Sequence, residues 1–255
     1  MRKQFLLFLF IALAGMGSAV HAQERVIAHR GYWDTPGSAQ NSQTSLRKAL
    51  ALSIYGSETD IWLTKDGHLM VNHDPQRNGV TFQTSAYKQC KKLKLENGER
   101  ISQLKDFLKI MRKSKSCTKL IIEVKPHATA LQSRAAAQLA VKQVRKYGVQ
   151  DKVEYISFSL DACKEIVADD PGAKVAYLNG ELSPEQLHAM GITGIDYHMN
   201  VLRKHPEWIG QAHKLGMTAN VWTVNSRKDI EEFAKDGVDY ITTNKPLDAI
   251  DITRK

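Results

Sequence analysis

Eight short runs of apolar, largely β-branched residues recur along the chain, each set off from the next by a stretch with helical patterning, and few architectures accommodate that rhythm. The runs are Val26-Ile27-Ala28, Ser57 to Leu63, Leu120 to Val124 and Val153 to Phe158, followed by Lys174 to Leu178, Gly194 to Tyr197, Thr218 to Val224 and Asp239 to Thr242. Near-continuous apolar runs suit strands covered on both faces, as in parallel sheets flanked by helices. The stretches between them include Leu131 to Lys146 and Arg227 to Lys235. Ser183-Pro184 supplies a cap and a first-turn proline for a helix within Leu182 to Met190. Eight such units predict an α/β fold, a (β/α)8 barrel of TIM type, with functional side chains at the carboxyl ends of its strands.

The amino-terminal residues point to a compartment. Arg2 and Lys3 precede the unbroken apolar run Phe5 to Leu13, and small residues lead to Val20-His21-Ala22 before Gln23. That is the layout of a secretory signal peptide over 1–22, and its apolar core is shorter than the roughly 20 residues of a membrane-spanning helix. No cysteine follows the run, so a lipid anchor is not expected. The expected mature chain is a barrel domain over 23–255, periplasmic or secreted, long enough for one barrel with a full core. Cys90, Cys117 and Cys163 are too few for a disulfide scaffold; Cys90 and Cys117 could pair, or all three could serve as small hydrophobes.

One excursion breaks the rhythm. Thr64-Lys65-Asp66-Gly67-His68 lies between the second run and Leu69-Met70-Val71, and Asp-Gly there signals a two-residue hairpin. That register places Asp60 opposite His73, so Glu58, Asp60 and His73 share one face. Residues 75–119 then form a stretch too long for an ordinary loop, a small inserted lobe over the barrel mouth. It holds twelve Lys or Arg against Glu96, Glu99 and Asp106, a balance of +9 within a whole-chain formal charge of +9. That basicity could steer anionic substrates, make weak contact with an anionic envelope surface, or be a solvated face. Nucleic acid is not an expected partner, because no aromatic stacking platform accompanies the lysines.

Glu58-Thr59-Asp60 puts two acids on one face of a buried strand, where like charges repel and burial raises their cost. Glu123 is a third acid in an otherwise apolar run. An all-oxygen set without cysteine favours a hard divalent cation, Mg²⁺ or Ca²⁺; the other reading pairs the acids with Arg30 and Lys125. His29, closing the first run, and His73 form a candidate acid/base pair. Lys125 shares a face with Glu123, and with Arg30 offers positive charge to a phosphoryl oxygen.

His29-Arg30-Gly31, Glu58-x-Asp60, Lys65-Asp66-Gly67, His73-Asp74 and Glu123-x-Lys125 resemble the glycerophosphodiester phosphodiesterases. Ser157-Phe158, Trp222-Thr223-Val224-Asn225 and Thr243-Asn244-Lys245-Pro246 continue the likeness in order over essentially the whole mature chain. The resemblance implies a barrel that hydrolyses glycerophosphodiesters, small-molecule substrates, to glycerol phosphate and an alcohol. It further implies Glu58, Asp60 and Glu123 as metal ligands, His29 and His73 as catalytic residues, and Arg30, Lys125 and Trp222 as substrate contacts, although Trp222 could equally be a packed rim aromatic. Two departures bear on substrate preference: Gln40-Asn41-Ser42 stands where the family usually has Glu-Asn-Thr, and Asn244 where the closing motif normally has Asp. The alternatives are a related phosphodiesterase acting on phospholipid or other headgroup diesters through a cyclic phosphate, and a non-catalytic barrel that binds surfaces through its basic lobe.

Overall fold

A computed structural model describes residues 24–254; the expected signal peptide lies outside them. The eight expected strands are all present: β1 (Glu24–Ala28), β2 (Ile54–Leu63), β3 (Lys119–Val124), β4 (Val153–Ser157), β5 (Val175–Tyr177), β6 (Gly194–His198), β7 (Thr218–Trp222) and β8 (Tyr240–Thr243). They pair in parallel in chain order, and β1 closes the ring by pairing with both β8 and β2. The fold is therefore a closed (β/α)8 barrel. Among the described residues no helix is long and apolar enough to cross a membrane.

Alternation along the strands sorts two cores. Val26, Ala28, Leu120, Ile122, Val124, Ile195 and Tyr197 face outward into the layer between barrel and helices, where Leu46, Ala140, Phe107 and Phe233 meet them. Ile27, Ile121, Ile156, Ala176 and Leu178 fill the barrel interior. At the same phase, one step further along their strands, come His29, Glu123, Phe158 and Asp196. The barrel mouth thus inherits its functional groups from the period of two.

The 75–119 excursion divides into two parts. Leu104–Lys113 is an outer helix of the barrel, burying Leu104, Phe107, Leu108, Ile110 and Met111 in the main core. The residues before it form a lobe with a core of its own, built from Phe82, Cys90, Leu93 and Ile101 against Trp62 and Met70 of the hairpin. Lys88, Lys91, Lys92 and Lys94 are exposed, so the lobe's charge is solvated. Cys90 is buried in that small core whereas Cys117 lies on the surface, and no disulfide joins them; Cys163 is a buried thiol.

The hairpin differs from expectation by one residue. Pairing runs Ile61↔Val71, Trp62↔Met70 and Leu63↔Leu69, which places Asn72, not His73, opposite Asp60. The turn holds three residues, Lys65 to Gly67: the Thr64 amide donates to the His68 carbonyl, and Gly67 takes φ +80°. A three-residue loop ending in a left-handed glycine is the next commonest hairpin solution, and Asp-Gly serves it as well as the two-residue turn. His73 still reaches the barrel mouth, for another reason: the strand ends at Val71, and the chain turns inward with the His73 carbonyl accepting from the Trp62 indole at 3.1 Å.

The loop after β1 is equally constrained. Gly31 has φ +78°, and a Cβ there would lie 2.4 Å from Ser45 Oγ and 2.8 Å from the Ser45 carbonyl carbon. Gly31→Ala is therefore expected to destabilise the fold by about 2 kcal/mol or more, from the left-handed backbone and the overpacking together. A lower urea midpoint at unchanged m-value is the check.

Candidate active site

Three carboxylates meet at the carboxyl end of β2 and β3. Glu58, Asp60 and Glu123 are 3, 0 and 7 % exposed, and one oxygen from each lies within 4.8 Å of the others. The strand register explains the approach, since Asp60 is the direct neighbour of Glu123. Lys125 Nζ stands 3.0 Å from Asp60 Oδ1 and 2.8 Å from Glu123 Oε1, and Arg30 Nε is 4.0 Å from Asp60 Oδ2. Both readings of the acids thus find support in the geometry. Three carboxylates against two cations nevertheless leave a formal deficit of one positive charge.

The electrostatics register that deficit. Burial, followed by repulsion from Asp60 and Glu123, pushes Glu58 well above the usual carboxylate range. Burial and Asp60 push Glu123 up to about 8, more than Lys125 offsets. Burial acts on Asp60 too, but Lys125, His73, Asn41 and Arg30 outweigh it and hold that carboxyl below its ordinary value. Lys125 is raised to about 12, its desolvation exceeded by the attraction of Asp60 and Glu123. Glu58 Oε1 is buried without a hydrogen-bond partner. An unpartnered buried oxygen in an all-oxygen cluster fits a hard divalent cation, which would also lower the cost of the like charges.

The loop between β1 and the first helix (Gln43–Leu52) supplies the first cation and the first imidazole. Arg30 adopts φ 58°, its amide donating to Glu58 Oε2 at 2.7 Å and its guanidinium to Gln40 Oε1 at 2.6 Å. Gln40 therefore gives Arg30 a neutral partner. Asn41, absent from the site residues expected from sequence, is buried at φ 58°, a conformation asparagine tolerates. Its Nδ2 donates to Asp60 Oδ2 at 2.8 Å, while its Oδ1 accepts from the Thr59 hydroxyl and the Asp60 amide, which fixes the carboxylate's orientation.

His29, Arg30, Glu58, His73, Glu123, Lys125 and Trp222 all line one cavity of 120 Å³, so all the predicted residues but Asp60 border it directly, and Asp60 lies in its wall beside Glu123. Asn244 Oδ1 accepts from Trp33 Nε1 at 3.3 Å, so at 2.8 Å it also accepts from His29 Nδ1–H. That tautomer turns the His29 Nε2 lone pair toward the cavity. Burial, then the nearby Arg30, lowers His29 to about 4. His73 Nδ1 donates to Asp74 Oδ1 at 2.7 Å, and burial holds its pKa below the ordinary value. Trp222 packs edge-on to Phe158 and His198, its indole donating to the Asp196 backbone carbonyl at 2.8 Å. A larger polar groove of 660 Å³, between the β1 loop and the lobe, shares Arg30 and His73 with the cavity.

Buried carboxylates, two fixed cations and a pair of imidazoles at the mouth of a β/α barrel suit the hydrolysis of anionic esters. The chain belongs to the glycerophosphoryl diester phosphodiesterase family, whose model it matches over residues 29–248. It is 46 % identical to a glycerophosphodiester phosphodiesterase of known structure from Parabacteroides distasonis, with a TM-score of 0.89 over 91 % of this chain and 98 % of that one. A glycerophosphodiester phosphodiesterase from Caldanaerobacter subterraneus is 27 % identical over 90 % of this chain and 98 % of its own. An Oleispira antarctica phosphodiesterase, solved with the product sn-glycerol-3-phosphate, shares the fold at 20 % identity and a TM-score of 0.75, over 90 % and 97 % of the two chains.

Proposed function

We propose that the protein hydrolyses glycerophosphodiesters to glycerol phosphate and an alcohol, with Glu58, Asp60 and Glu123 holding a divalent cation and His29 and His73 moving the protons. The observation that carries this reading is the meeting of three buried carboxylates with two imidazoles around one small cavity. A cation bound there, Mg²⁺ or Ca²⁺ by the chemistry of the oxygens, would supply Lewis-acid charge to a phosphoryl oxygen. Arg30 and Lys125 add fixed positive charge, preorganised by Gln40 and the acids. His29, neutral and oriented by Asn244, can accept a proton at Nε2. His73 holds its Nδ1–H on the Asp74 carboxylate, a contact that favours the imidazolium although burial outweighs it, and it presents its other nitrogen for proton transfer.

Cavity size and polarity select the substrate class. The cavity of 120 Å³ suits a unit the size of glycerol, and the outer groove, which shares Arg30 and His73 with it, offers polar groups to the departing alcohol. The test is a panel of deacylated glycerophosphodiesters beside intact phospholipid, each with and without chelator. Hydrolysis of the deacylated panel alone is the expected result; equal or faster turnover of phospholipid would overturn the assignment. The signal-peptide layout of residues 1–22 supports a periplasmic or secreted location for this activity. There the exposed lobe lysines suit weak contact with an anionic envelope surface, which a salt dependence of kcat/KM would register.

A further inference from the structure

Asp196 lines the same cavity as both histidines, yet it belongs neither to the acidic cluster nor to the imidazole pair. It comes from the interior face of β6, is 1 % exposed, and its Oδ1 is buried with no hydrogen-bond partner. Among the described residues no cation pairs with it. Burial alone pushes its carboxyl up to about 7. Its cavity neighbours Ile156 and Leu178 are apolar, and the Trp222 indole bonds its backbone rather than its side chain. Asn220, its register partner on β7, also has a buried Oδ1 without a partner. Asn220 lines a separate pocket, so it is the unpartnered Asp196 oxygen, bordering the cavity against Ile156 and Leu178, that calls for a ligand bringing a hydroxyl hydrogen.

We propose that Asp196 is a specificity residue, its carboxyl hydrogen-bonding a free hydroxyl of the glycerol unit while the phosphoryl group lies between the imidazoles. This rests on the glycerophosphodiester reading above and adds to it the group that tells glycerol from other alcohols. A site built to pair a substrate hydroxyl discriminates strongly against ligands that lack it, because its own polar group is then left buried and unpaired. A resident water would satisfy the same oxygen without conferring any selectivity.

Titration calorimetry in Mg²⁺ with sn-glycerol 3-phosphate and with inorganic phosphate separates these cases. Asp196→Leu is expected to weaken sn-glycerol 3-phosphate binding by about 10- to 100-fold, with much less effect on inorganic phosphate. Asp196→Asn, which keeps an acceptor and the side-chain shape, should recover part of the preference and guards against misfolding of the leucine variant. Equal losses for both probes, or a preference that survives Asp196→Leu, would overturn the role of Asp196. Wild-type protein that binds phosphate but shows no preference for sn-glycerol 3-phosphate, and no hydrolysis of glycerophosphodiesters, would instead sink the substrate reading itself.

Discussion

Dialysis against a chelator is expected to reduce hydrolysis to background, and added Mg²⁺ or Ca²⁺ to restore it. The expectation comes from charge. Glu58, Asp60 and Glu123 are almost fully buried, and the two fixed cations beside them leave one negative charge uncompensated. With the protein's own groups alone, the cluster meets its cost by protonation, which is what the raised values of Glu58 and Glu123 express. A cation held by these three residues would remove that cost and allow all three carboxylates to be ionised at neutral pH. Glu58→Gln or Glu123→Gln should therefore lower both metal affinity and activity, the latter on the order of 10³-fold if each acid fixes charge used in the transition state. Metal binding should also raise the melting temperature, by about 2.7 kcal/mol of added stability at a hundred times Kd. Full activity in protein shown to be metal-free by elemental analysis would rule the triad out of catalysis.

How much of this was legible in the sequence depends on which physical signal each residue leaves. The eight strands were readable because strands covered on both faces must be apolar along their length. Glu123 stood out as an acid in such a run. Asp196, in Gly194-Ile195-Asp196-Tyr197, leaves the same kind of mark, and applying that test to every strand would have found it. The hairpin shows the opposite case. Asp-Gly signals a tight turn without fixing whether it holds two or three residues, and the choice shifts every partner by one. His73 lines the cavity although the register expected to bring it there is not the one present, because the strand stops at Val71 and alternation no longer governs the residues beyond it. Asn41 shows in the sequence only as the matching middle residue of Gln40-Asn41-Ser42, and its task is not readable there, since it holds an acid nineteen residues away from a loop whose path depends on Gly31 and Ser45. The helical part of the 75–119 excursion was hidden by its charge: Leu104–Lys113 buries one apolar face in the barrel and turns Lys109, Arg112 and Lys113 to solvent.

The imidazoles carry the second large effect, with His29→Ala and His73→Ala each expected to lower kcat by about 10²–10⁴-fold. A metal and fixed cations can neutralise a phosphodiester, but they neither take a proton from the attacking oxygen nor return one to the leaving alcohol. His29 suits the first task as built: the Asn244 amide holds Nδ1–H, and burial keeps the ring neutral down to about pH 4. Where His29 is the required base, activity therefore persists on the acid side well below the ordinary histidine pKa of about 6.5 and falls only as pH drops toward 4. Replacing the neutral partner by a carboxylate, Asn244→Asp, stabilises the imidazolium and must move that acid limb upward. The shift in the kcat/KM profile is the readout, because a residue that merely packs against His29 would change the rate and leave the limb in place. Near wild-type turnover in both alanine variants, at saturating metal, would remove the histidines from the mechanism.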